Sequence, residues 1–546
     1  MGRATRGADL LLDALMRAGT RTIFALSGNH VMPLFDAALD RDLILIHTRH
    51  EAAAVHMAEG WARASDRVGV ALVTAGQGHA NAIGALCTAQ ASETPVVLLS
   101  GHAPQRELGL GSFQELRQAD LAAPLTKASW TAASAASLPD DIARAWRIAR
   151  SDRPGPVHVS LPTDLLEQEV APASIAPPPE KAFQPERLAL SADTARDILA
   201  ALGEARRPLV IAPPALATAR GAALLAELRA ALGLPVVVME SPRGIADPSL
   251  GAFAELLADA DLIVLLAKPL DFTLRFGRPP TVAAACRWIV IDPDPALLER
   301  AARGIGARLI LSAQAGATGA ATALIAAARE DNGPIGSADW CAVTAASIAY
   351  RPADWPSDLA DGPLHPAALF GAVQPVLDGR PDSVFVSDGG EIGQWAQALL
   401  RAPHRLINGV AGAIGPSLPF AIGAQVARPD STVLAVMGDG TFGFHMAELD
   451  TASRYGLPIV VVIGNDGRWN AEYQIQLRSY GVDRAHGCTL RPDTRYDLVA
   501  AALGGHGEWV TRGAELPGAL ARAVSSGKPA VVNVAIDGRP APVIRR

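Results

Sequence analysis

Residues 433–470 read VLAVMGDGTFGFHMAELDTASRYGLPIVVVIGNDGRWN. An apolar run, 433–437, enters Gly438-Asp439-Gly440. A segment with helical spacing follows, carrying Glu448, Leu449 and Tyr455. A second apolar run, 459–463, stops at Asn465-Asp466-Gly467. The pattern predicts a strand–loop–helix–strand unit with acidic or amide side chains at both strand ends. Ligands of parallel α/β sheets collect at the carboxyl ends of the strands, so Asp439 and Asp466 are placed to share one cation. Mg²⁺ takes hard oxygen ligands and is readily shared between carboxylates and phosphate oxygens. Backbone N–H groups at the glycine turn and at the start of the next helix suit a diphosphate. Gly-Asp-Gly alone marks many ordinary turns. Its weight here comes from the second acidic strand end, 27 residues on from Asp439.

The bulk numbers set the frame. A chain of 546 residues is too long for one core, and about three domains are expected. With 49% apolar and 19% charged residues it reads as an ordinary globular protein. A net charge of −7 and a pI near 6.0 argue against a nucleic-acid partner. The cysteines (Cys87, Cys286, Cys341, Cys488) are scattered, with no CxxC pair, so neither a disulfide framework nor a zinc site is indicated. No apolar run approaches 18 residues and the first 19 residues do not have the shape of a signal peptide. A cytoplasmic protein with no membrane association is the expectation.

Outward from the opening stretch, strands alternate with helices throughout. Residues 7–19 read as an amphipathic helix, and 22–26, 43–47, 68–74 and 95–100 as strands. The run 68–74 is continuously apolar, as in a buried parallel strand. A Pro-rich linker at 170–185 closes this unit. A second α/β unit has strands at 208–212, 261–267 and 287–295, and no GxGxxG. A polar connection at 330–363 leads to the third unit, which ends in the strand 529–536, with the tail 537–546 lying over the surface. The predicted fold is α/β, with three doubly wound parallel-sheet domains at 1–170, 186–330 and 363–546.

The pairing of GDG with the Asn-Asp strand end resembles the diphosphate motif of thiamine-diphosphate (ThDP) enzymes. Further runs carry the resemblance over nearly the whole chain: HEAAAVHMAEGWARAS (50–65), VALVTAGQGHANAIGAL (70–86), TPVVLLSG (94–101), TKAS (126–129), RPGPVHVSLPTD (153–164) and NGVAGAIGPSLPFAIGAQVA (408–427). The type is that of acetolactate synthase, benzaldehyde lyase and 2-hydroxyacyl-CoA lyase, which implies ThDP and Mg²⁺ as cofactors. The resemblance gives the metal to Asp439, Asp466 and the carbonyl of Arg468. The family carries Asn where Asp466 stands, and a shift of one residue would give the role to Asn465 instead. Glu51 takes the place of the carboxylate that bonds the aminopyrimidine ring and starts the proton transfer activating the cofactor. From the residues alone, Glu51 reads first as a helix N-terminal carboxylate favoured by the dipole.

Other cofactor contacts implied are Gly28, Asn29, Gly438, Gly440, Thr441, Trp469 and Asn470. The carbonyl of Gly412 would accept from the aminopyrimidine amine, and Ile414 would be the apolar wedge that bends the cofactor; without the resemblance Ile414 reads as core. The family's active sites lie between subunits, which implies a homodimer or homotetramer.

Three positions bear on the substrate, a small carbonyl compound. His30, after Asn29, matches a proton-transferring His of benzaldehyde lyase. Gln114 matches a substrate-bonding Gln of that enzyme and of acetolactate synthase. Glu472 has the spacing of a proton-relaying Glu of pyruvate decarboxylases. Each could instead be an ordinary turn or surface residue. His79 falls near the cofactor in this register, with no assigned role.

The stretch LLAKPLDFTLRFG (265–277) departs from the flavin-contacting pattern of acetolactate synthase and looks more like that of 2-hydroxyacyl-CoA lyases, so FAD is not expected. Phe113-Gln114 stands where oxalyl-CoA decarboxylase carries Tyr-Glu, against that activity, and the short tail leaves little to cover a CoA. The expectation is a lyase or carboligase acting on 2-hydroxy ketones or 2-keto acids. The alternatives are a 2-keto-acid decarboxylase, a 2-hydroxyacyl-CoA lyase, acetolactate synthase proper, or a ThDP-binding protein without turnover.

Overall fold

The computed structural model describes residues 4–171, 175–330 and 333–546. Parts of the expected helix-leading N-terminus, the 170–185 linker and the 330–363 connection fall outside these residues. Three parallel sheets follow one another along the chain. The first contains β1 (Thr22–Ala25), β2 (Ile44–His47), β3 (Gly69–Val73), β4 (Val96–His102), β5 (Ala128–Thr131) and β6 (Val157–Pro162), in the order β2-β1-β3-β4-β6-β5. The second contains β7 (Pro208–Ala212), β8 (Val236–Val238), β9 (Leu262–Leu266), β10 (Arg287–Ile291) and β11 (Leu309–Ala313), in the order β11-β10-β9-β7-β8. The third contains β12 (Val384–Ser387), β13 (His404–Ile407), β14 (Val433–Gly438), β15 (Val460–Asn465), β16 (His506–Val510) and β17 (Ala530–Ala535), in the order β13-β12-β14-β15-β17-β16.

The first and third sheets therefore share one strand order. In each, the chain steps to one side for its second strand and returns to the other side for its third. That reversal leaves a crevice at the carboxyl ends of β1 and β3, and again at those of β12 and β14. The strands read as continuous apolar runs because helices cover both faces of each sheet: all of Gly69–Val73 and all of Val460–Asn465 are buried. No helix among the described residues is long and apolar enough to cross a membrane.

The first and third sheets are tied through two helices. Glu51–Ser65 packs on Ser417–Ala427, and each contributes a glycine at the crossing. A Cβ on Gly60 would stand 2.6 Å from the Cα of Phe420, and one on Gly423 would stand 2.1 Å from the carbonyl oxygen of Met57. Only glycine admits backbone contact this close. The helix that begins with Glu51 is thus fixed against the helix that follows the Gly412–Ile414 loop.

The connection expected at 330–363 is not wholly loop. Residues Ala338–Ala349 form a helix, capped where Ser337 Oγ accepts from the N–H of Trp340. Alanine-rich composition and one large apolar anchor explain it: Trp340 is buried and its indole N–H donates to the carbonyl of Pro208 at 2.8 Å. The tail has no regular structure but is tied down. Trp395 Nε1 donates to the carbonyl of Pro540 at 2.9 Å, and the N–H of Ala541 donates to Glu391 Oε2 at 3.1 Å.

Candidate active site

β14 delivers Gly438 and then Asp439, which begins the short turn Asp439–Phe442; β15 delivers Asn465 and then Asp466. The two strands are hydrogen-bonded neighbours in register Gly438↔Gly464, so both acids arrive at one edge. They line a cleft of about 480 Å³ with Gly389, Ile392, Ile414, Gly440, Trp469 and Glu472. Asp439 is 1% exposed, and its Oδ2 is buried with no hydrogen-bond partner. Burial first, and the charge of Asp466 second, push Asp439 up to about 7. Burial likewise pushes Asp466 up to about 6, although the N–H of Arg468 donates to its Oδ1 at 3.1 Å. Two largely desolvated acids facing one space, one of them with an unpartnered oxygen, form a site for a cation.

Asn465 is engaged elsewhere. Its Nδ2 donates to Asn533 Oδ1 at 3.2 Å, its Oδ1 accepts from the N–H of Gly467 at 3.2 Å, and it is not among the residues lining the cleft. Thr441 Oγ1 accepts from the N–H of Gly438 at 3.1 Å, which closes the turn. The ring of Trp469 packs on Gly440, where a Cβ would stand 2.8 Å from it, so the residue there must be glycine. Asn470 lines the cleft but its amide donates to the carbonyl of Arg539 in the tail at 3.0 Å. Arg468 lays its guanidinium over the Tyr473 ring, 4.5 Å from the centroid. Glu472 is exposed at the cleft wall.

Ile414 enters the same cleft from the loop after β13 and is 39% exposed. Gly412 on that loop has φ +68°, and a Cβ there would meet Pro242 of the middle sheet's domain at 3.4 Å. What shapes the loop is Asp388, a residue the sequence reading did not single out. It is fully buried at the end of β12 and accepts from the N–H groups of Gly389, Gly415 and Ser417 at 2.8, 3.0 and 3.2 Å. Burial outweighs these donors and holds its carboxyl at about 6. The signal was available: Asp388 follows an apolar strand and precedes a glycine, as Asp439 does.

The second constellation lies at the crevice of the first sheet. Glu51 begins its helix directly after β2, is 9% exposed, and accepts from Asn81 Nδ2 at 3.0 Å on Oε2. Thr74, at the end of β3, is the common neighbour of several candidates. A Cβ on Gly28 would stand 2.4 Å from it, and one on Gly78 would stand 2.7 Å from it and 3.3 Å from Glu51 Oε1. His30 Nδ1 lies 3.4 Å from Thr74 Oγ1. His30 is 3% exposed, and burial holds its imidazole below the usual range. Its ring stacks on Phe113 with centroids 5.9 Å apart. Gln114 follows with φ +57°, a strained value for a residue with a side chain, and its Nε2 donates to Gln77 Oε1 at 3.2 Å. Asn29 is exposed beside His30. Glu51, His30 and Gln114 thus gather at one strand end, while Asp439, Asp466, Ile414 and Glu472 gather at another.

His79 does not join them. It is fully buried, 2.9 Å from Ser100 Oγ and with its ring centroid 4.5 Å from that of His158, and burial pushes it down to about 4. It is a core residue of the first domain.

Comparison with known proteins agrees with this arrangement. Residues 5–121 match the thiamine pyrophosphate enzyme N-terminal TPP binding domain, and residues 388–534 match its C-terminal TPP binding domain. These two matches contain the Glu51 constellation and the Asp439 cleft. A probable acetolactate synthase of Mycobacterium bovis is 32% identical over 97% of this chain and 95% of its own length. Acetolactate synthase isozyme 2 large subunit of Escherichia coli is 29% identical over 97% and 95%. The 2-hydroxyacyl-CoA lyase 2 of Bos taurus is 30% identical over 93% and 85%. With both cofactor-binding domains matched and relatives alike along almost its full length, the chain belongs to the thiamine pyrophosphate enzymes, of the acetolactate synthase and 2-hydroxyacyl-CoA lyase type.

Proposed function

We propose that this enzyme uses ThDP with Mg²⁺ to break or form the carbon–carbon bond next to a carbonyl, on 2-hydroxy ketones or 2-keto acids. The observation that carries the reading is the gathering of Glu51 and His30 around Thr74 and Gly78, with Gln114 against Gly76 and Gln77 in the same turn. The orphaned Asp439 Oδ2 supports the metal, since a cation would satisfy it. Asp439, Asp466 and the carbonyl of Arg468 would hold the ion, and Gly438, Gly440 and Thr441 would face the diphosphate. When bound, ThDP supplies the nucleophilic carbon that adds to a carbonyl and the electron sink that follows.

The chain's own residues do the rest. Glu51, with Oε2 held by Asn81, presents Oε1 as the atom that holds or passes a proton. His30, kept neutral near pH 7 by its burial, takes and returns a proton on the substrate. The Gln114 amide orients a substrate oxygen. Ile414 supplies the apolar wedge, the Gly412 carbonyl an acceptor, and Glu472 a second proton carrier at the cleft wall. The reading includes a homodimer or homotetramer in which Glu51 of one copy faces the Asp439 cleft of another. Exposed apolar side chains beside both constellations, Phe113 and Phe444 among them, support it. It also includes a cytoplasmic setting and domains at 1–170, 186–330 and 363–546, which keep each sheet whole. No flavin is required. The departure of stretch 265–277 from the flavin-contacting pattern of acetolactate synthase supports this.

A second reading, a 2-hydroxyacyl-CoA lyase, is favoured by a cleft of about 1630 Å³ adjoining the first at Glu391. The tail residues 540–545 line it, together with Arg243 and Arg478, and cations along such a channel would suit the phosphates of a CoA. Proton NMR of the protein with ThDP, Mg²⁺, pyruvate and benzaldehyde, against a control without ThDP, tests the proposal. Benzoin or a mixed hydroxy ketone supports it, acetolactate alone indicates a synthase, and acetaldehyde alone a decarboxylase. Silence with these, but cleavage of a 2-hydroxyacyl-CoA, would select the second reading. No product together with no exchange of the cofactor C2 proton would mean binding without turnover.

A further inference from the structure

Away from both constellations, a cleft of about 1000 Å³ opens between the first domain and the middle domain. A smaller pocket of about 450 Å³ shares Arg150, Arg187, Leu216 and Thr318 with it. Neither contains any residue of 265–277. Many arginines among the described residues are paired with a carboxylate, Arg63 at this cleft among them, but Arg67, Arg150, Arg187 and Arg220, which also line it, are in no ion pair there. Arg150 is half-buried, and its Nη1 donates to a carbonyl, that of Phe183, at 3.4 Å. Arg187 and Arg220 are exposed on the rim and make no ion pair among the described residues. Burial and the nearby charges of Arg187 and Arg220 hold Arg150 below its ordinary value.

The backbone adds to the same sign. The helix Ala219–Leu232, capped by Thr218, and the helix Ala317–Glu330 both begin at the walls of these two pockets, where their positive ends lie. The acids that face the cleft have hydrogen-bond partners, and one of them, Glu93, is paired with a cation. Asp66 accepts from the N–H of Arg220 at 3.1 Å, Glu93 is paired with Arg153, and Asp152 accepts from the N–H of Leu188 at 2.7 Å. The remaining wall is apolar, with Pro214, Leu216 and Leu224.

Unpaired guanidinium groups converging with two helix N-termini on a walled space form a receptor for a multiply charged phosphate. The volume exceeds what one inorganic phosphate fills, and the proline and leucine wall suits an organic body. We propose that the cleft bounded by Arg150, Arg187 and Arg220 binds a phosphorylated metabolite carrying two or more phosphate groups, separately from the cofactor and substrate. The site bridges two domains, so its ligand would be an effector of the enzyme rather than a reactant. The proposal does not rest on the reaction assigned above.

Isothermal titration with tripolyphosphate and with ATP tests it, on the full chain saturated with ThDP and Mg²⁺ so that the Asp439 cleft is closed to them. One site per chain is expected, with binding weakened as salt rises from about 0.1 to 0.5 M. The variant R187A/R220A alters only exposed side chains and should lose at least about tenfold in affinity for both probes. Its affinity for ThDP should stay within about twofold, and R512A in the third domain should behave as wild type. Absence of binding by either probe overturns the proposal, as does equal affinity in R187A/R220A and wild type. If ThDP itself fails to bind, the double variant still decides, because any probe bound at the Asp439 cleft would be indifferent to Arg187 and Arg220.

Discussion

Asp439 and Asp466 stand at the ends of adjacent parallel strands and face the same cleft, each with its carboxyl raised by burial, to about 7 and about 6. A cation must displace whatever protons they hold, so its affinity depends on pH. Mg²⁺ affinity should fall by at least about tenfold between pH 8 and pH 5.5, and the apparent affinity for ThDP should fall with it. Trp469, packed on Gly440 in the same cleft, provides a fluorescence signal for the titration. D439A should abolish Mg²⁺-dependent ThDP binding. D466N, which keeps an oxygen ligand, should weaken it less. Binding that is flat across this pH range, or indifferent to D439A, would move the metal elsewhere.

Glu51 is the group expected to hold the activating proton. E51Q keeps the size and the contact with Asn81 but cannot take a proton. Turnover should drop by about 10²- to 10⁴-fold, with ThDP affinity changed little. Exchange of the cofactor C2 proton in deuterated water, followed by NMR, should slow in proportion. Unchanged exchange in E51Q would remove Glu51 from the mechanism.

Much of this was legible in the sequence because parallel strands announce themselves as apolar runs and their ligand residues follow directly. Asp439 and Asp466 each stand one residue past a strand end, and Glu51 four residues past His47, the end of β2. The choice between Asp466 and Asn465 was not legible. Side chains alternate along a strand, and which of two neighbours faces the cleft depends on where the strand stops. Asn465, still within β15, turns to Asn533 on β17. Asp388 was missed because its work is to bond backbone N–H groups of a loop 27 residues later, a contact created only by folding. Likewise His79, close in sequence to the cofactor segment, turns into the core because the first turn of its helix faces β4 and β6. The helix at 338–349 was hidden by the polar, proline-rich residues on either side of it.

Asp388 makes a prediction of its own. Its carboxylate gathers the N–H groups of Gly389, Gly415 and Ser417, so it shapes the loop that carries Gly412 and Ile414. D388A would leave three buried donors without an acceptor, a cost of about 1–3 kcal/mol for each one that finds no water. Hydrogen exchange should speed up over 408–417 before the rest of the third domain is affected. KM for substrate and the affinity for ThDP should both worsen. A variant with native exchange in this loop would show that Asp388 is dispensable for its shape.

Gly423 tests the junction between the Glu51 helix and the loop's helix. A Cβ there would stand 2.1 Å from the carbonyl oxygen of Met57, so G423A must push the helices apart. Overpacking of this kind costs about 1–3 kcal/mol. Because the displaced helix begins with Glu51, activity should fall further than stability alone explains, at temperatures well below the midpoint of unfolding. G371A is the control, since nothing lies within 4 Å of its added methyl. Equal behaviour of the two variants would mean that the crossing tolerates expansion.

Glu59 lies on the same helix, fully buried, with both carboxylate oxygens lacking a hydrogen-bond partner. Burial raises it from 4.5 to about 7, against the opposing pull of Arg63. Its folded value lies above its unfolded one, so between about pH 4.5 and pH 7 the folded protein keeps a proton that the unfolded chain has released. Stability contributed by this group is therefore intact below pH 4.5 and is lost progressively as pH rises through 7. The loss at pH 8 amounts to about 3 kcal/mol. E59Q, neutral at every pH, should unfold at a higher temperature than wild type at pH 8 and show no advantage at pH 4.5. The gap between the two melting curves should open mainly between pH 5 and pH 7. Parallel curves across that window would mean that Glu59 is ionised in the folded protein, held by Arg63 or by water at its unpartnered oxygens.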